Sequence, residues 1–169
     1  MTAFMLLKAL KKFLQQTVSE YASSQGEGGR FRTPEVFDWY LPFKNGKISE
    51  KIDFPYIIPR IDKADQVNKD GELRYTVKVD LSFGVYCEGK DENGLVIPDG
   101  SYDLLNLMEH VQIALFRQKI IENKYLIEEP YSWFIPEEQP YPLWVGQATS
   151  LWTLPPITPE RGVDIIYGI

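Results

Sequence analysis

Cysteine and histidine are nearly absent from this chain: Cys87 and His110 each stand alone. A single cysteine excludes an internal disulfide framework. Cys87 lies in a strand-like run and reads as a small buried apolar side chain, a usage that fits a reducing compartment such as a bacterial cytoplasm. A tetrahedral zinc site needs several His, Cys or carboxylate ligands converging, which this inventory does not supply. Long apolar runs are missing too. No stretch approaches the roughly 18 apolar residues a membrane span needs. Residues 1–14 resemble a targeting segment only superficially, because Lys8, Lys11 and Lys12 interrupt it and no small-residue cleavage site follows. The expectation is a protein that is neither secreted nor membrane-spanning. A basic excess is lacking: 18 Lys and Arg stand against 24 Asp and Glu, a net charge of −6. That balance argues against a general nucleic-acid binder, which carries a basic stripe to displace counterions from phosphates. Nucleotide motifs are absent as well, both G-x-x-x-x-G-K-[ST] and a G-x-G-x-x-G that follows a strand. Gly26-Glu27-Gly28-Gly29-Arg30 is glycine-rich but follows a helical segment, whereas a phosphate cradle uses the amides that open a helix.

What the chain has is length for one domain with a real core and many aromatics, including four Trp and ten Tyr. Such residues fill cores and anchor interfaces alike. Residues 3–22 read as an amphipathic helix, with Phe4, Leu7, Leu10, Leu14, Val18 and Tyr21 on one face. The glycine-rich stretch 23–29 ends it. Residues 35–41 read as a short strand, 44–47 as a turn, 54–61 as a second strand whose prolines favour an edge, and 62–71 as a polar loop. The clearest strand is 73–85, where Leu73, Tyr75, Val77, Val79, Leu81, Phe83 and Val85 alternate with mostly polar residues. Period two with one apolar face predicts an antiparallel sheet covered on one side. Residues 88–94 read as a loop. A second helix opens near Asp99-Gly100-Ser101, with Leu104, Leu107, Met108, Val111 and Leu115 as its apolar stripe. Acids near its start and Arg117 and Lys119 near its end suit the helix dipole. Strands follow at 125–129, 131–135 and 144–154. The order predicts an α+β fold, a mostly antiparallel β-sheet with two amphipathic helices packed on one face. Residues 1–155 form the domain and 156–169 a C-terminal arm or tail.

Candidates for chemistry are few. His110 falls on the second helix among apolar positions, with no nucleophile or orienting partner marked beside it. Glu128-Glu129 and Glu137-Glu138 are paired carboxylates, but strand neighbours point to opposite faces and no pocket is indicated to shift them. Arg30-Phe31-Arg32 places two guanidiniums around a ring, a possible nucleic-acid contact or a subunit salt bridge. Catalytic, metal and cofactor residues are thus expected to be none.

Three segments carry a resemblance. They are Asp53-Phe54-Pro55-Tyr56-Ile57-Ile58-Pro59-Arg60, Asp99-Gly100-Ser101-Tyr102-Asp103-Leu104-Leu105-Asn106-Leu107, and Trp133 to Gly146, followed by Thr149 to Pro155. In order and spacing these resemble the tail-terminator (tail-completion, minor tail) proteins of phages and prophages of Gram-positive bacteria, over residues 3–155. The third segment is the most specific. The resemblance implies a sheet with helices on one side and a homo-oligomeric ring, typically a hexamer, on the head-proximal end of the tail tube. The ring would stop tube polymerisation and present a surface to the neck. Implied partners are further copies of the chain, the tail tube protein and a neck or head-completion protein, with DNA passing through the lumen without specific binding and no membrane involved. No catalysis and no cofactor follow from it. The net negative charge agrees, since it would keep a DNA-conducting lumen from gripping phosphate. Candidate subunit or tube contacts are Arg30, Phe31, Arg32, Glu138, Gln139, Tyr141 and Trp144, together with exposed strand edges and the loops 23–33 and 62–71. The alternatives are another neck component such as a stopper, a small carboxylate-dependent enzyme, and a small-ligand binding module.

Overall fold

A computed structural model of the chain describes residues 1–24, 32–46, 53–97 and 99–158. The elements in order are α1 (Ala3–Ser24), β1 (Glu35–Val36), β2 (Tyr56–Lys69), β3 (Glu72–Tyr86), β4 (Lys90–Glu92), β5 (Leu95–Ile97), α2 (Gly100–Gln118), β6 (Ile120–Ile121), β7 (Tyr125–Phe134) and β8 (Leu143–Leu154). Six strands form one sheet in the order β1-β2-β3-β8-β7-β6, and β4 pairs with β5 in a separate hairpin. All pairings but that of β1 with β2 are antiparallel. The fold is α+β.

The first helix starts at Thr2, whose hydroxyl accepts the Met5 amide at 3.3 Å and satisfies one of the donors a helix start leaves unpaired. Leu6, Leu7, Leu10, Leu14, Val18 and Tyr21 are buried, but Phe4 is 66% exposed. Phe4 was expected on the buried face. It falls beyond the stripe centred on Leu10 and Leu14, and the Lys8 ammonium lies 5.6 Å above its ring instead. The expected stripe of α2 is buried throughout. Asp103 sits in its first turn and Arg117 in its last, while Lys119 at φ 59 caps it through a 2.8 Å bond to the Leu115 carbonyl.

On β3 the apolar alternation is realised from Tyr75 onward: Leu73, expected on the same face, is exposed where β3 runs past the end of β8, whereas Tyr75, Val77, Val79, Leu81, Phe83 and Val85 are all buried. They meet α2, which packs on β3 and β8, and α1, which touches β1 and β2 at one edge and β6 near the other. The sheet therefore curls around the helices. Trp152, fully buried, donates its indole N–H to Ser150 Oγ at 2.9 Å, and Ser150 donates to the Val79 carbonyl at 3.2 Å. These residues are two apart on β8 and share its inner face. The opposite face carries a smaller cluster of Phe54, Tyr56 and Ile58, with Phe37, Leu41, Tyr86 and Leu143 packed on it. Lys44 and the buried Asp53 pair beside it. Gly84 sits under the Tyr56 ring, where a Cβ would lie 2.3 Å from the nearest ring carbon.

Four elements differ from the sequence reading. Residues 62–69 are strand, not loop: β2 runs to Lys69 and turns into β3 through Asp70 and Gly71 at φ 55° and 85°. Such left-handed pairs make the primed turns that match strand twist. Residues 88–94 belong largely to a second hairpin, turning at Asn93 and Gly94 with φ 57° and 82°. The strand expected at 35–41 is two residues long, and Trp39 at φ 66° interrupts the extended run. The strands expected at 125–129 and 131–135 are one, β7, with a register shift between Glu128 and Ser132 that holds Pro130. Of the predicted C-terminal arm, residues 159–169 lie outside the described residues.

Candidate assembly surfaces

Arg30 and Phe31 lie outside the described residues, and Arg32 is exposed shortly before β1. The connection from β7 to β8 is held by Gln139. Its amide nitrogen donates to the Pro136 and Val145 carbonyls at 2.6 and 3.1 Å, and its oxygen accepts the Val145 amide at 2.7 Å. Gln139 is thus the clasp of the turn. Trp144 points inward: it packs against the main core and donates its indole N–H to the Cys87 carbonyl at 3.0 Å. Gly100 lies so close that a Cβ there would fall 2.2 Å from that indole nitrogen. Cys87, expected to be buried, is only partly so. Tyr141 remains at the surface, 54% exposed, with its hydroxyl bonded to the Glu88 carbonyl at 2.8 Å. Glu138 is exposed beside it. Of the four residues in this segment, two face inward and two outward.

The three segments that carry the family resemblance converge. The first opens β2, whose Tyr56 pairs with Gly84 near the end of β3. The second opens α2 beneath Trp144. The third joins β7 to β8, and its Leu143 packs on the Phe54–Tyr56–Ile58 cluster. All three meet where β3 finishes and β8 begins. This end of the sheet exposes Tyr141, Tyr102, Leu95 and Val96. The opposite end is built differently. There β2 and β3 run on past Leu154, the last β8 residue, which pairs with Tyr75. From Val67 to Arg74 they form a ribbon with both faces exposed, and Gln66 grips both backbone groups of Ile157 at 2.8 and 3.1 Å. Around it lie Asp62, Lys63, Asp65, Lys69, Asp70, Glu72 and Arg74.

Two strand edges are open among the described residues. The Phe37 and Trp39 amides bond to β2 as far as the Pro59 carbonyl, so β2 has no outer neighbour from Arg60 to Lys69. On the other side β6 pairs with Tyr125 and Leu126 only, and the Ile127 amide bonds to the Lys119 carbonyl. From Glu128 to Phe134 the outer edge of β7 is bare, with Trp133 and Phe134 exposed. Sequence reasoning named exposed edges in general but not these two. The Asp70-Gly71 pair between apolar-bearing runs was the signal that would have revealed the first.

The chemical candidates find ordinary partners. His110 stacks at 4.5 Å on Tyr21, with its Nε2 3.4 Å from the Thr17 carbonyl; it lines an open cleft of about 580 Å³ between α1 and α2. Glu128 accepts the Thr153 hydroxyl at 2.6 Å, while Glu129, Glu137 and Glu138 are exposed. Burial, with the neighbouring Asp99 charge, pushes the Asp103 carboxyl up, in a helix start rather than a pocket. Among the described residues no three His, Cys, Asp or Glu side chains gather in a way that could hold a metal ion, and no helix is long and apolar enough to cross a membrane. Comparison with protein-family models and with curated proteins gives no match.

Proposed function

We propose that this chain is a structural subunit of a phage tail, a tail terminator that forms a ring on the head-proximal end of the tail tube. The observation that carries this reading is a sheet with two strand edges open among the described residues and two ends of unlike build. Open edges are sites for strand pairing, and a subunit with two unlike edges can join others head to tail until rotation closes the ring. The ends are then left for two different partners, the tube protein and the neck or head-completion protein. Exposed aromatics at one end are the residues that anchor such contacts, and the other end is a two-stranded ribbon exposed on both faces. The meeting of the three resemblance segments at the aromatic end supports the same reading. The ring ends tube polymerisation, offers the head-joining surface, and passes DNA without specific binding, for which the net charge of −6 is suited. No catalysis and no cofactor belong to this role, and the protein resides in the virion after assembly in the host cytoplasm.

The test is an early stop codon in this gene within its phage or prophage, followed by induction and negative-stain electron microscopy. Tailless heads beside tubes of uncontrolled length are expected. Tubes of normal length beside unjoined heads would reassign the chain to a head-side neck component. Intact particles would refute both roles.

A further inference from the structure

We propose that the end of the sheet where β3 finishes and β8 begins docks a protein partner whose contact surface is rich in arginine and lysine. This names the chemistry of one end partner of the ring subunit proposed above and rests on that reading. Charge is the first argument. Residues 86–103 carry Glu88, Asp91, Glu92, Asp99 and Asp103 against Lys90, and residues 135–146 carry Glu137 and Glu138 and no cation. The whole chain has 24 acids and 18 cations, so these two segments hold its entire net charge of −6 and the remainder is balanced. The fold stitches the two segments together. The Cys87 amide donates to the Pro142 carbonyl and the Trp144 indole to the Cys87 carbonyl, both at 3.0 Å, and the Tyr141 hydroxyl donates to the Glu88 carbonyl at 2.8 Å. An excess spread over two stretches of sequence thus becomes one acidic end. Lys44, on its flank, is already taken by the buried Asp53.

Availability is the second argument. Asp91, Glu92, Glu137 and Glu138 are exposed and enter no ion pair among the described residues. Asp91 accepts the Gly94 amide, a neutral donor that leaves its charge in place. Toward the other end the charges are matched instead, Lys63 with Asp65 and Lys78 with Asp62. Like charges held together repel, and a basic partner removes that cost on binding. Apolar surface is the third argument, and it is interleaved with the acids. Across the β4–β5 hairpin Glu92 pairs with Leu95 and Asp91 with Val96; Leu95 is 72% exposed. Tyr102, 70% exposed, stands between Asp99 and Asp103, and the exposed Tyr141 follows Glu138. Arginine fits such a surface: its guanidinium stacks on a tyrosine ring and forks a carboxylate, while its stem lies along apolar side chains. Nucleic acid is repelled by the same sign. The ribbon of a second copy offers no basic surface either, with four acids to three cations over residues 62–74.

Heads and tubes from the stop-codon phage test the proposal. The two are separated on a gradient, mixed with purified chain and sedimented, and the bound chain is measured against its concentration. Glu92→Gln, Glu137→Gln and Glu138→Gln are combined in one variant; Asp65→Asn, Asp70→Asn and Glu72→Gln are combined in a control of equal charge change at the ribbon. All six positions are exposed, and circular dichroism checks that both variants fold. The wild-type chain should bind one of the two fractions with an affinity that falls as salt rises from about 50 to 300 mM. At low salt the first variant should bind that fraction roughly tenfold more weakly and with a flatter salt dependence, and the control should match wild type there. Binding of the first variant equal to wild type on both fractions would overturn the basic partner and leave the ring reading standing. Loss of wild-type binding on chelation of divalent cations, recovered with magnesium, would also overturn it, in favour of an acidic partner bridged by cations. A wild-type chain that binds neither heads nor tubes would overturn the ring reading itself.

Discussion

Replacing Tyr131 with Phe should stabilise the subunit. Tyr131 lies on β7 and meets Phe116 of α2 edge to face, with ring centroids 5.6 Å apart at 89°. Its hydroxyl is buried and has no hydrogen-bond partner among the described residues. Burial accordingly pushes the phenol pKa far above its usual value, so the group is neutral across the working pH range. A buried polar atom left unsatisfied costs about 1–3 kcal/mol. Phenylalanine keeps the ring, its aromatic contact and nearly all of its apolar area, and removes only the oxygen. Part of the penalty returns as a small void, leaving an expected gain of about 0.5–2 kcal/mol. For a chain of this length that corresponds to a rise in Tm of roughly 1–8 °C. Urea unfolding is the cleaner assay: the midpoint should move up while the slope stays constant, because the surface exposed on unfolding hardly changes. A loss of about 1 kcal/mol would show that the hydroxyl is bonded and refute the reasoning.

Gly100→Ala should destabilise by about 1–3 kcal/mol, because the added Cβ meets the Trp144 indole and Cys87; Gly146→Ala should cost less, its Cβ meeting only the adaptable end of Met108 and a more distant Ile135 methylene, and thermal melts of the two compare them. Trp144→Ala should lose roughly 3 kcal/mol or more of stability, whereas Tyr141→Ala forfeits one hydrogen bond, about 1 kcal/mol, and should leave a folded subunit defective in assembly; circular dichroism with size-exclusion chromatography separates the outcomes. Burial pushes the Asp38 carboxyl up, but hydrogen bonds and charge from Lys11 and Lys8 outweigh it and hold the group below its ordinary 3.8. Its folded pKa is thus below the unfolded one, so its contribution is complete above about pH 4 and is lost as pH falls through the folded value; urea midpoints from pH 7 to pH 2 should fall less steeply in Asp38→Asn.

Elements buried on one face were legible and elements solvated on both were not. Leu104, Leu107, Met108, Val111 and Leu115 repeat at helical spacing because α2 packs on β3 and β8 on one side and faces water on the other. Tyr75 to Val85 alternate for the same reason. Residues 62–69 extend where no helix covers β2, so nothing forces an apolar period on them and their polarity read as a loop. Phe4 fitted the spacing locally, and only the position of α1 against the sheet shows it to lie off the buried stripe. The candidate surface was legible in part. The segment 138–144 was singled out by composition, but whether Gln139 and Trp144 turn inward depends on Pro136, Val145 and Cys87, which no local pattern brings together. Which edges stay open is less legible still. It depends on β1 and β6 being only two residues long, at opposite ends of the sheet order.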